Sequence, residues 1–302
     1  VDHHRTSFNR QTARAVCLLF FSLWAVCAAE AQSRLNRPPP RYVQLSAPDQ
    51  KEGATILAEM RNAGPGGDYY LEFELRVLPR RGDEHRIPGR LWGTRNVDGP
   101  MTRLALNVSP ESGGATGKET RLLVQGGPRP SAWSWPSGDA ETAIAMDNAA
   151  LFEPLAGTDL SAFDLQMPFL YWSDFVYEGK TRLYDRPADT FLLYPPASIA
   201  AQRPELAAMR VYLDPQYHAL MQAEQLGENE RVLKSMRMVE LKKIGDQWMV
   251  KAVELRDEKT RNKTRFVVTS AGLNRDFSNA LFEPGNLSSG FKAPSSLTPL
   301  SE

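Results

Sequence analysis

The feature that most limits this chain is a long series of short apolar runs of period two. They are set apart by turn signals, and no helical stretch between them is long enough to serve as a crossover. From Tyr69, the residues Leu71, Phe73, Leu75 and Val77 alternate with Glu72, Glu74 and Arg76, which predicts a strand with one wet face. Arg80 to Glu84 makes a charged turn. Leu91-Trp92 and residues 101–108 continue the pattern, with Leu104, Leu106 and Val108 set against Arg103 and Asn107. Residues 109–117 read as a Gly/Ser loop, and 122–124 and 133–135 as two more strands around Gly126-Gly127-Pro128. Between about 139 and 172 the alternation lapses: Thr158 or Asp159 offers a cap for a short helix through Leu165, and Met167 to Trp172 forms an aromatic patch. Strands resume at 175–177 and 190–194. Residues 209–271 then read as a meander turning at Asp214-Pro215, Gly227-Glu228-Asn229, Gly245-Asp246 and 257–262. Parallel strands would need helical crossovers of about a dozen residues, so the expected class is mainly antiparallel β, of the α+β type. One helix is expected over 48–62, with Ser46 as N-cap and Ile56, Leu57 and Met60 as its apolar face.

The N-terminal residues predict a cleaved signal peptide over 1–31. Arg5, Arg10 and Arg14 precede an apolar run from Ala15 to Ala29, which closes on Ala29-Glu30-Ala31. Both cysteines, Cys17 and Cys27, fall inside it, so the mature chain is expected to carry neither a disulfide nor a thiolate nucleophile. Trp24 and Val26 suit lipid attachment at Cys27 poorly. The expectation is therefore a periplasmic, monomeric protein with peripheral or no stable membrane association. Residues 32–45, with Pro38-Pro39-Pro40, read as an extended tether, 46–286 as a single β domain and 287–302 as a flexible tail. The chain has 36 Lys+Arg against 36 Asp+Glu and no basic block, which gives nucleic acid no footprint.

Residues that carry chemistry are sparse. Beyond the signal segment only His85 and His218 remain, without the spacing of a zinc site. Nucleophile elbows, phosphate loops and dinucleotide fingerprints do not occur. A carboxylate hydrolase needs two acidic groups about 5–10 Å apart, but Glu72 and Glu74 have the pattern of a solvated face. No catalytic residue, metal ligand or cofactor is therefore expected. Arg81-Gly82-Asp83 reads as a hairpin turn. The echo of Ala150-Leu151-Phe152-Glu153-Pro154 in Ala280-Leu281-Phe282-Glu283-Pro284 reads as chance or as two similar turns rather than a duplication. What remains is apolar, including Trp92, Trp133, Trp135, Phe169, Tyr171, Trp172 and Trp248. An unclosed curved sheet with helices over its concave face leaves an apolar cavity unless large side chains fill it.

From Leu155 to about Phe282 the chain resembles the LolA/LolB-like superfamily of outer-membrane lipoprotein-sorting proteins. The resemblance rests on Gly157-Thr158-Asp159-Leu160-Ser161 with Asp164-Leu165, and on Phe175 to Gly179 with Arg186-Pro187 and Phe191 to Pro195. Val211-Tyr212-Leu213-Asp214, Gly245-Asp246-Gln247-Trp248 and Lys263 to Phe266 extend it. It implies an eleven-strand-like half-barrel whose concave face is covered by short helices, with an acyl chain of a lipid or lipoprotein held inside. An envelope protein would act as donor or acceptor. On this reading Leu71, Phe73, Trp92, Leu104 and Leu106 line the sheet side, while Met167, Phe169, Leu170 and Trp172 form a rim or lid. A charged residue at Phe169 or Trp172 would then abolish binding without unfolding the protein. The alternatives are an envelope scaffold with a filled cavity and a carboxylate hydrolase.

Overall fold

The computed structural model of the protein describes residues 45, 47–64, 66–108, 118–136, 142–217 and 219–300, within the compact unit Gln44–Glu302. The signal peptide and, apart from Leu45, the tether lie outside the described residues, as do Ser46, residues 109–117 and His218.

Among the described residues fourteen strands form one unclosed antiparallel sheet, three more than the eleven that the resemblance implies. A first meander comprises β1 (Asp68–Leu78), β2 (His85–Asn96), β3 (Gly99–Val108), β4 (Lys118–Gln125), β5 (Ser131–Pro136) and β6 (Ile144–Ala145). A second comprises β7 (Phe175–Leu183), β8 (Arg186–Leu193), β9 (Ala208–Leu213), β10 (Leu220–Leu226), β11 (Val232–Ile244), β12 (Gln247–Asp257) and β13 (Lys263–Arg275). The spatial order is β6-β5-β4-β3-β2-β1-β13-β12-β11-β10-β9-β8-β7, and the short β14 (Thr298–Pro299) lies beside β13. β6 and β7 follow each other in the chain but stand at opposite edges of the sheet. The connection between them must therefore cross the sheet, and this is the stretch where the strand pattern lapses.

The crossing segment covers one face. Helix α1 (Gln50–Asn62) and helix α2 (Ala162–Gln166) bury Leu57 and Phe163 in the main core, together with Leu71, Phe73, Leu104, Leu106 and Leu122. A third short helix, α3 (Ala197–Ala200), adds Ile199. Asp49 is the N-cap of α1, and its side chain accepts from the Lys51 amide at 2.9 Å. The cap of α2 is Ser161 rather than Thr158 or Asp159. Ser161 and Asp164 form a reciprocal capping box, while the Thr158 hydroxyl is taken by Leu155 O and the Leu160 amide.

Helix α1 also closes the β7 edge. The Gln50 side-chain amide exchanges two 2.8 Å hydrogen bonds with the backbone of Tyr177, as a neighbouring strand would. Gly53 allows this approach, since a Cβ there would stand 2.4 Å from the Tyr177 Cβ. Alanine normally favours a helix over glycine by about 1 kcal/mol. At this position the clash wins, and Gly53→Ala is expected to lose about 2 kcal/mol in chemical denaturation.

The opposite face is covered too, contrary to the flexible tail expected from residue 287. Tyr70, Trp92, Ala105 and Leu123 pack under Leu281, Phe282 and Leu287, with Phe291 and Leu297 alongside. Leu300 inserts into the main core. The reason lies in arginines of the first meander. The Arg103 guanidinium, 1 % exposed, donates to the carbonyls of Leu281, Asn286, Leu287 and Ser289, and Arg121 holds Leu287 and Ser288. The two pentapeptide echoes are similar turns, each with its Ala-Leu-Phe in a 3-10 helix that buries the Leu and Phe. Phe152 lies in the main core, and Phe282 on the other face.

Candidate functional site

A cavity of about 420 Å³ lies between the sheet and the helices that cover it. Tyr69, Leu71, Leu91, Thr102 and Val124 of the first meander form one wall. Leu220, Met236, Met238, Val253, Leu255 and Phe266 of the second form the other. Met60 of α1, with Leu160, Leu165 and Met167 around α2, closes it from above. Register explains the first wall, because directly paired residues share a face. Leu71 pairs with Leu91, Leu91 with Leu104 and Leu104 with Leu122, while Gly93 pairs with both Tyr69 and Thr102. Five of the chain's nine methionines (Met60, Met167, Met221, Met236 and Met238) border the space. Their unbranched thioethers repack easily around ligands of different shape.

The polar groups of the wall are engaged internally, save the Gln166 side-chain oxygen, which is buried without a partner among the described residues. The Asp164 carboxylate accepts from Ser161 and pairs with the Lys234 ammonium. The Gln166 amide donates to Gln125 O at 3.1 Å and Ser131 O at 3.0 Å, tying α2 to the β4–β5 corner. Burial pushes the Tyr69 hydroxyl up, only partly offset by its hydrogen bond with Thr102, so it stays neutral at physiological pH. Asp164 is the acidic residue among those lining the cavity. Among the described residues no group of three or more His, Cys, Asp or Glu is arranged to hold a metal.

Of the nine residues expected to form the pocket, Leu71 and Met167 border it. Phe73, Leu104, Leu106, Phe169, Leu170 and Trp172 are packed within the main core and do not line the space. Phe169 and Trp172 stack around Phe163, at 5.7 and 6.4 Å between centroids, so this turn is part of the core and not an exposed rim. A charge at either position is consequently expected to unfold the protein, which corrects the expectation of a folded variant that fails to bind. Trp92 stands on the opposite face. It pairs with Tyr70 and Arg103, and its ring meets Tyr70 edge-on at 5.2 Å under the C-terminal segment. The β10–β13 side went unpredicted, although the spacing of Met236 and Met238 was a signal for it.

Behind the second wall, Glu254 alternates with Val253 and Leu255 and so faces away from the cavity. It sits directly between Arg237 and Arg265 on the neighbouring strands. Burial would push its carboxyl up, but the hydrogen bond from Arg265 and the charges of Lys263, Arg265 and Arg237 outweigh that and hold it below the usual value. A depressed carboxyl contributes stability above its unfolded pKa and loses it as the pH falls through the folded one. Glu254→Gln is expected to cost about 1 kcal/mol at neutral pH. The gap to wild type should close on acidification, as read from denaturant titrations at stepped pH. A gap independent of pH would assign the loss to packing.

The fold has solved counterparts. A DUF1329 family protein from Desulfovibrio piger superimposes with a TM-score of 0.66 at 14% identity, over 79% of this chain and 98% of its own. A domain assigned to outer-membrane lipoprotein sorting, from Vibrio parahaemolyticus, gives 0.65 at 14% identity, over 77% and 97%. A LolA superfamily protein from Nitrosomonas europaea gives 0.57 at 14% identity, over 79% and 98%. No curated protein matches the sequence. A protein-family model described as "-like: Uncharacterized protein" matches residues 118–289, more than half of the chain. The chain belongs to that family, and its fold is the LolA-like unclosed sheet with short helices on one face.

Proposed function

We propose that this protein is a periplasmic binding protein or carrier for an apolar envelope molecule, a lipid or the acyl chain of a lipoprotein. The observation that carries the reading is the apolar, methionine-rich cavity under the crossing segment. Its volume falls in the ~300–1,000 Å³ range of small-molecule sites. Each methylene buried there gains about 0.8 kcal/mol, which suits a chain of carbons better than a polar solute. Two of the structures that share the fold carry the names of lipoprotein sorting and of LolA. The single acidic group in the wall is bound up in a helix cap and an ion pair, which supports a binding role over the two-carboxylate hydrolase. The signal-like N-terminus supports export, and one β domain that includes its C-terminal strap is the unit that acts.

Mass spectrometry of gently purified protein, with titration of a fluorescent fatty acid into delipidated protein, tests this. Co-purified lipid, saturable uptake and a rise in Tm on binding are expected. An empty protein without uptake overturns the reading and favours the scaffold, since the crossing segment already fills most of the covered face.

A further inference from the structure

The outer half of the β11–β12 hairpin leaves the sheet. β12 pairs with β13 from Arg256 to Ala252; beyond that, Ser270 and Ala271 of β13 pair with β14 instead. The β11–β12 register skips Val239 on one strand and Lys251 on the other, and bulges of this kind bend a strand away from its neighbours. The freed tip carries Trp248, 59 % exposed, with Val239 and Val250 also exposed. Trp248 and Val250 share a face, opposite Lys243 and Leu241. Val250 both lines the cavity and is 37 % exposed, so the cavity reaches the surface beside this tip.

Single exposed apolar residues need no explanation, but three on one hairpin at a cavity mouth mark an interaction surface. Its charge says of what kind. Lys242 and Lys243 are exposed there against one exposed carboxylate, Asp246 in the turn, and Glu240 is neutralised by Lys251 at 3.0 Å, which leaves the tip net positive. Gln247 donates to Asn274 at 2.8 Å and stands against Gly66, and the neighbouring Arg275 is half-buried with its guanidinium on Ser296. An amphipathic ring beside flexible cations is what the interface of an anionic bilayer accommodates.

We propose that this tip docks on an anionic phospholipid surface. Trp248 and Val250 enter the headgroup layer, Lys242 and Lys243 meet the phosphates, and the mouth of the cavity faces the lipid. The purpose of docking, loading or release, rests on the carrier reading; docking itself does not.

Sedimentation of the whole protein with vesicles of phosphatidylglycerol and phosphatidylcholine, against vesicles of phosphatidylcholine alone, tests it. Binding to the first is expected, weakening with salt, together with quenching of tryptophan emission by brominated lipid. The double change Lys242→Gln and Lys243→Gln should lower partitioning by roughly tenfold or more. Trp248→Phe should keep binding and remove most of the quenching, because Phe preserves the apolar anchor. No sedimentation with anionic vesicles, or binding and quenching unchanged in both variants, overturns the proposal. Fatty-acid uptake without vesicle binding overturns docking alone. Vesicle binding without uptake overturns the carrier reading and leaves docking standing.

Discussion

Replacing Arg103 by alanine is expected to loosen the C-terminal segment and lower stability by about 3 kcal/mol or more, the largest effect of any single change considered. Among the described residues the guanidinium is buried without a contacting carboxylate, and its four acceptors are the carbonyls of Leu281, Asn286, Leu287 and Ser289. Burial, with Arg121 beside it and Glu119 opposing, brings its pKa down to about 10, so it remains a cation at neutral pH. Removing it takes the donor from Leu281 O and Ser289 O under a layer of Phe and Leu side chains, while Asn286 O keeps the Ser289 amide and Leu287 O keeps Arg121. It also removes the cation stacked 4.7 Å from the Phe291 ring. A fall in Tm of roughly 10 °C follows for a domain of this size, with new protease cleavage between residues 277 and 297. Arg103→Lys should recover only part of the loss, because one ammonium cannot span four carbonyls. A Tm within about 1 °C of wild type, with unchanged protease resistance, would show that the segment is held by its apolar contacts alone.

Filling the cavity is expected to separate binding from folding. Val253 borders the space on β12 and is only partly buried, so Val253→Trp can place its ring in the cavity instead of displacing core side chains. Excluding about three methylenes of a bound chain, at ~0.8 kcal/mol each, weakens binding by roughly 50-fold. Stability should hold or rise, since the ring gains contacts that the empty space denied its lining. Fatty-acid titration and thermal melting on one sample read both effects. Unchanged affinity in the folded variant would move the ligand away from this cavity. Met236→Trp, on the facing strand, provides an independent second obstruction.

Much of the sheet was legible because a half-buried strand writes its own period. Leu71, Phe73, Leu75 and Val77 are all buried, and their polar alternates stay at least partly exposed. The turn at Gly245-Asp246 and the helix carrying Ile56 and Leu57 were legible for the same local reason. The position of Trp92 was not. An aromatic residue on a strand buried on both faces reads alike from either side, and only the pairing with Tyr70 and Arg103 assigns it to the C-terminal side. Phe169 and Trp172 misled in the complementary way. Aromatic density marks burial, and burial alone does not distinguish the filler of a cavity from its wall.

Chain-local chemistry determined the strands, their turns, the first helix and the antiparallel class, because alternation and turn residues act over a few positions. The tertiary structure decided what depends on residues far apart. The pairing of β1 with β13 makes one sheet of two meanders, and it forces residues between β6 and β7 across the covered face. Arg103 recruits carbonyls more than 170 positions away, which turns a Ser/Pro-rich stretch into a strap. The cavity likewise joins Tyr69 to Phe266, a proximity created by strand order that no periodicity within either segment encodes.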